Sequence, residues 1–331
     1  MRPIVQLVIA LVCGALVVMN ASAQTPNPPA GNSAPVWTAT APGRPTLLLL
    51  PTIHMLTIDD PRIDEWLAQI AGRAQAVVLE GPLSYTKKEL QTVLRLGLYG
   101  TEDNLTNHVT SMTTEELARC ARLSGLDIVP FLQLKPWLAS MTVNSHRLTD
   151  RSVARAPGIN PSVFYDGIDV RLFHLAQQKM IPLIYLETLP QALKFYDEIP
   201  TDAQDAYLQG TCNELTGRTP GDLDINEIER AWLNSDVTRL GQLITTRNPH
   251  ENQSFHDANQ YILRGGTKIF AASLERYGYF HGKGPILIAV GAGHFFGDDS
   301  LLTRLEAAGY SITAPHSANG VTPVLKAGDR G

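Results

Sequence analysis

The chain has little that would tie it to nucleic acid. Lys and Arg number 27 against 32 Asp and Glu, the net charge is −5 with a pI near 6.0, and the basic residues form no run. A phosphate backbone would meet no basic footprint. Charged residues are 18 % of the whole, below the usual quarter or so. Only 3 cysteines are present, which excludes a disulfide-framework scaffold. The absence of a C-x-x-C-H motif excludes covalently attached haem. Beyond the first residues no uninterrupted apolar run is long enough to span a bilayer, so no stable membrane anchor is expected once the leader is gone. Nor does any Pro/Gly/Ser-rich linker divide the region 46–315, which therefore reads as one domain.

What is present begins with a targeting pattern. Arg2 is followed by the apolar stretch Ile4 to Met19 and then by Ala21-Ser22-Ala23, an A-x-A arrangement of small residues. Residues 1–23 read as a secretory signal cleaved after Ala23. Cys13 lies inside the apolar core behind Val12, away from where a lipoprotein site would fall. The protein is expected to be secreted, and periplasmic if the source is a Gram-negative bacterium. Residues 24–45, rich in Pro, Ala, Thr and Asn, read as a disordered spacer; 46–315 as an α/β domain; and 316–331 as a flexible tail. Cys120 and Cys212 survive cleavage and could pair in an oxidising compartment, but sequence does not fix their distance.

Within the domain, short apolar runs alternate with helical periodicity. Ile286 to Val290, and Leu47 to Leu50 as a second copy of its pattern, read as strands buried on both faces, and Ala76 to Leu79 and Ile181 to Leu186 read as further strands. Asp127 to Phe131 reads as a further short strand, and Ser311 to Thr313 closes the sheet. Helices are expected after Asp60-Pro61, over 87–97, from Thr113 to about Ser124, after Pro136, after Gly167, and through 189–199, 204–215, 227–244 and the stretch carrying Ile262 and Ile269. Trp137 reads as core. The result is an α/β fold with a central, mostly parallel sheet flanked by helices. Two strands end before histidine (His54, His294) and two end in glutamate (Glu80, Glu187), which suggests two related halves with the site at the carboxyl ends of the strands.

Residues in those positions suit chemistry. Two neutral imidazoles, His54 and His294, and the Glu80 carboxylate leave positions open on a divalent ion, which could polarise a carbonyl or acidify a bound water. Mixed nitrogen and oxygen ligands admit Zn, Mn, Co or Fe. Without a metal, His54 could act as a general base oriented by Glu80, with Arg247 stabilising an oxyanion. In a third class of function, the histidines hold non-covalent haem or iron as cargo, or the fold serves as an inactive binding partner.

The two histidine turns, Glu80, the segment Gly167 to Gln191 with Leu186-Glu187-Thr188, Arg247-Asn248, and Gly291-Ala292-Gly293-His294 together resemble the TraB/GumN family. That family is related to the Tiki proteases and more distantly to ChaN-like and erythromycin-esterase-like proteins. The resemblance covers roughly Leu47 to Thr313. It implies an α/β cleft holding both histidines and the glutamate, and a metal-dependent hydrolase of peptidase type acting on a peptide or small-molecule substrate with Mn, Co or Zn. The family's first G-x-x-H motif falls on Pro51-Thr52-Ile53-His54. Pro51 stands where the family has glycine, which fixes φ and removes an N–H.

Overall fold

The structure, a computed structural model, describes residues 34–56, 59–83, 86–149, 165–216, 225–247, 252–277 and 284–315. The signal segment, the tail after 315 and most of the loop read over 149–162 lie outside the described residues.

The strands are β1 (Trp37–Thr40), β2 (Leu47–Thr52), β3 (Met55–Leu56), β4 (Ala76–Leu79), β5 (Tyr165–Asp166), β6 (Leu183–Tyr185), β7 (Ile286–Gly291) and β8 (Ser311–Thr313). Eleven α-helices are found among the described residues: α1 (Pro61–Ala71), α2 (Lys87–Gly97), α3 (Ser111–Leu123), α4 (Pro136–Thr149), α5 (Ile168–Gln178), α6 (Leu189–Asp197), α7 (Thr201–Leu215), α8 (Ile225–Leu233), α9 (Val237–Thr245), α10 (Gln253–Tyr277) and α11 (Leu301–Ala307).

Six strands form one sheet in the order β6-β4-β7-β2-β1-β8. The first four in that order, β6, β4, β7 and β2, are mutually parallel, and β1 is antiparallel to both of its neighbours. Parallel strands need both faces covered, and the apolar runs supply both. Along β7, Ile286, Ile288 and Val290 enter the core on one face with Phe295, Leu274 and Leu301. Leu287 and Ala289 enter the other with Ile63, Leu67, Leu172 and Trp232. That alternation is the period of two of a strand. A third, all-helical cluster joins α2, α3, α4, α6 and α7 around Trp137, Phe131 and Leu117, and Trp137 is core as expected.

The helix starts follow local chemistry. Asp60 Oδ1 accepts from the Arg62 N–H at 2.9 Å ahead of Pro61, and Thr86 and Glu89 form a capping box, each satisfying donors the first turn leaves free. The cap of α3 is Thr110 rather than Thr113, its hydroxyl accepting from Thr113 N at 3.2 Å.

Two expectations are corrected. Residues 34–45 are no spacer: Trp37 and Ala39 are buried and pair through β1 with Leu49 and Leu47 of β2. Four residues are too few for their alternation to stand out against the surrounding Pro and Thr. Asp127 to Phe131 is no strand: Val129–Gln133 form a 3-10 turn. Asp127 Oδ1 accepts from Val129 N at 3.1 Å, and Pro130 has no N–H to give a ladder.

Candidate active site

In sheet order, the carboxyl ends of the four parallel strands present Glu187, Glu80, Gly291 with His294, and His54. The two glutamate strands are neighbours, and so are the two histidine strands. Beyond β6 the ladder runs on, with Leu186 N donating to Leu79 O at 2.9 Å and Glu187 N to Glu80 O at 2.8 Å, so both carboxylates leave the sheet side by side.

Gly291 is the point on which the site closes. Its N–H donates to Glu80 Oε1 at 2.5 Å. A Cβ there would sit 3.1 Å from Glu80 Oε1, 3.2 Å from His54 Nε2 and 3.7 Å from His294 Cδ2. Glycine is needed for space, since its φ of −52° is open to any residue.

Each imidazole is held from behind. His54 Nδ1 lies 3.2 Å from Asp169 Oδ2, at the start of α5. That helix start reaches His54 because Gly167 lets two backbones touch: a Cβ on Gly167 would fall 2.3 Å from His54 O, and Ile168 N donates to Ile53 O at 3.0 Å. His294 Nδ1 lies 2.8 Å from Thr267 Oγ1 of α10, whose hydroxyl donates to Leu263 O at 2.7 Å. With that proton on Leu263, Thr267 Oγ1 is free to accept from Nδ1, and a hydrogen bond of the imidazole to the Leu263 backbone supplies a second acceptor; both favour the Nδ1–H tautomer, which leaves the lone pair on Nε2. Nε2 stands 3.8 Å from Glu80 Oε1. Gly266 gives the ring room, and Phe270 packs edge-on at 4.8 Å.

The surroundings drive the two histidines apart. Burial pulls the His54 pKa down, but the Asp169 carboxylate and its hydrogen bond, with Glu80 behind, prevail and raise it to about 9. The ring keeps 57 % of its side-chain surface open at the mouth of the cleft, so solvent screens part of that pull. Burial lowers the His294 pKa, with Glu80 opposing and His54 assisting. Burial and then the Glu80 charge raise Glu187 to about 7. His54, Glu80, Asp169 and Glu187, with Gly81 and Leu83, line a cleft of about 210 Å³. A shallower depression of about 280 Å³ between α8 and α9 is lined by Glu227, Arg230, Asp236 and Arg239. It brings no histidine together with a carboxylate, and the chemistry is placed in the smaller cleft.

His54, Glu80 and His294 thus converge, as their strand ends required. The donors fit a divalent ion in type: the forward nitrogens of two imidazoles, that of His54 once its proton is displaced, and a carboxylate, backed by the oxygens that orient metal-bound imidazoles. The 3.8 Å between His294 Nε2 and Glu80 Oε1 is close to the ~3.4 Å edge of a tetrahedral ion with ~2.1 Å bonds. No ready-made group of three His, Cys, Asp or Glu ligands is found among the described residues, so a bound ion would draw the side chains inward.

His54 takes its orientation from Asp169, whereas the sequence pointed to Glu80 for that part. Arg247 Nη1 donates to Gln253 Oε1 at 2.5 Å, a contact at the start of α10. Pro51 lies within the β2 ladder. It pairs with Val290 in the parallel ladder, β1 reaches only to Leu49, and Pro51 O accepts from Trp232 Nε1 at 2.7 Å. Sequence reasoning missed Asp169 and Thr267, and it noted Glu187 without placing it in the site.

No curated protein and no solved structure matches the chain. The model of the TraB/PrgY/gumN family matches residues 35–314, nearly the whole described chain and every residue of the cleft. On that match, over more than half of its length, the chain belongs to the TraB/PrgY/gumN family.

Proposed function

We propose that this protein is a metal-dependent hydrolase of peptidase type, exported from the cytoplasm by its leader, with His54, Glu80 and His294 as metal ligands. The observation that carries the reading is the convergence of His54 Nε2 and Glu80 Oε1 on Gly291, with His294 Nε2 beside Glu80 and each Nδ1 engaged from behind. A divalent ion held there supplies a Lewis acid and an acidified water. Glu80 is steered by the Gly291 N–H, Asp169 orients His54, and Thr267 helps set the His294 tautomer. Glu187, whose carboxyl is raised to about 7, is suited to hand a proton to a leaving group near neutral pH. The cleft volume of about 210 Å³ suits an ion and a scissile group better than haem, since pockets for drug-sized ligands run to ~300–1,000 Å³.

The test is hydrolysis of a mixed peptide library by protein stripped with chelator and resupplied with Mn, Co or Zn. Stripping should abolish cleavage, one of the metals should restore it, and His54→Ala or His294→Ala should lose both bound metal and activity. Unchanged hydrolysis after stripping sinks the metal reading, and silence under every condition favours a binding role.

A metal-free reading has one observation in its favour, the His54–Asp169 pair. With His54 raised to about 9 and His294 lowered, His294 would be the base and His54 the acid. That assignment moves the base from His54, where the sequence placed it, to His294. The same assay separates the two, because this activity survives chelation.

A further inference from the structure

Away from the cleft, two cysteines on different helices face each other inside the helical cluster. Cys120 of α3 and Cys212 of α7 are both free and fully buried. They share the core formed by Leu117, Ala121, Leu208 and Val93, and their thiols are in hydrogen-bond contact. Small apolar residues would fill this position equally well, so contact between the only two cysteines of the described chain calls for a reason.

We propose that Cys120 and Cys212 form a disulfide joining α3 to α7, made while the chain folds by exchange with a low-molecular-weight disulfide. The Cys120 thiolate attacks one sulfur of the reagent, giving a mixed disulfide and releasing one thiol. The Cys212 sulfur then attacks Cys120 Sγ and expels the second. Two protein thiols are oxidised and one reagent disulfide is reduced to two thiols. The timing follows from burial. A mixed disulfide has no room between packed helices, and once they pack, the thiol–thiol hydrogen bond and desolvation push the Cys212 pKa up, which removes the nucleophilic thiolate. The bond closes a long loop, so it limits the unfolded chain most strongly. This inference is independent of the cleft reading.

The test is refolding of the full reduced chain with a mixture of oxidised and reduced glutathione, followed by alkylation in denaturant and peptide mapping. The expected product is a cross-linked pair of peptides carrying Cys120 and Cys212, neither alkylated, and its absence in Cys120→Ala. Adding the same mixture to chain already folded in reductant should cross-link it at least about tenfold more slowly. Both cysteines recovered alkylated from cooperatively folded protein, or either one linked to Cys13 instead, would overturn the proposal. Equal rates in the two protocols would overturn its timing.

Discussion

Gly167 and Gly291 both touch His54, yet substitution should separate their effects. A methyl on Gly291 would meet the ends of side chains, Glu80 Oε1 and His54 Nε2, at just over 3 Å. These can give by a few tenths of an ångström, so Gly291→Ala should cost only about 1 kcal/mol of stability while holding the donors apart. Loss of metal binding with a near-wild-type melting temperature is the expected pattern. A methyl on Gly167 would meet the His54 carbonyl at 2.3 Å, and backbone cannot rotate away. Gly167→Ala should cost about 1–3 kcal/mol or more, measured by denaturant melts. Gly100→Ala is the control, since nothing lies within 4 Å of its Cβ position, and it should stay within about 0.5 kcal/mol. Asp169→Asn keeps the shape of the pair but removes its charge, so the His54 pKa should fall from about 9 towards ordinary values in an NMR titration. An unmoved titration would show that Asp169 does not set it.

At the scale of elements, what was legible depended on length and punctuation. β2, β4 and β7 stood out because unbroken apolar runs bounded by Gly and Pro mark strands covered on both faces, and their ends then placed His54, Glu80 and His294 together. β1 did not, being a short strand near the edge of the sheet. Asp169 and Thr267 were illegible as site residues for another reason. Asp169 reaches His54 only through the Gly167 backbone contact, 115 positions away in sequence, and Thr267 sits mid-helix on α10, where its hydroxyl reads as a helix side chain bonding back to Leu263. Thr267→Val tests its part. The isosteric change should leave α10 intact by circular dichroism but remove one of the two acceptors facing His294, the Leu263 backbone being the other, with the share of the Nε2–H tautomer rising in nitrogen-15 spectra. No change in tautomer would remove Thr267 from the site. Pro51, where the family has glycine, brings a fixed φ and no N–H to offer a ligand. The structure turns its carbonyl to use through Trp232, and Trp232→Phe should cost about 1 kcal/mol for that hydrogen bond.

For the molecule as a whole, the cleft gathers negative charge and sets how stability follows pH. In metal-stripped protein three groups act. Glu187 is raised to about 7 from 4.5, so its contribution is fully present below pH 4.5 and is lost as pH rises through 7. His54 is raised from 6.5 to about 9, so its contribution is present below pH 6.5 and is lost through 9. His294 is lowered, which acts oppositely but only below about pH 6.5. Between pH 7 and 9, then, His54 is the cleft group that acts, and stripped protein should lose stability across that window in thermal melts, with His54→Gln flattening the slope. A divalent ion reverses the sign. To bind, it must displace the His54 proton, so its affinity rises with pH up to about 9, and binding to the folded state alone stabilises by RT times the logarithm of one plus the ratio of free ion to its Kd. Added Mn, Co or Zn should therefore raise the melting temperature more at pH 9 than at pH 7. The difference should shrink in Asp169→Asn, where the proton to be displaced is held less tightly. A metal-induced rise independent of pH would place the ion somewhere other than on His54.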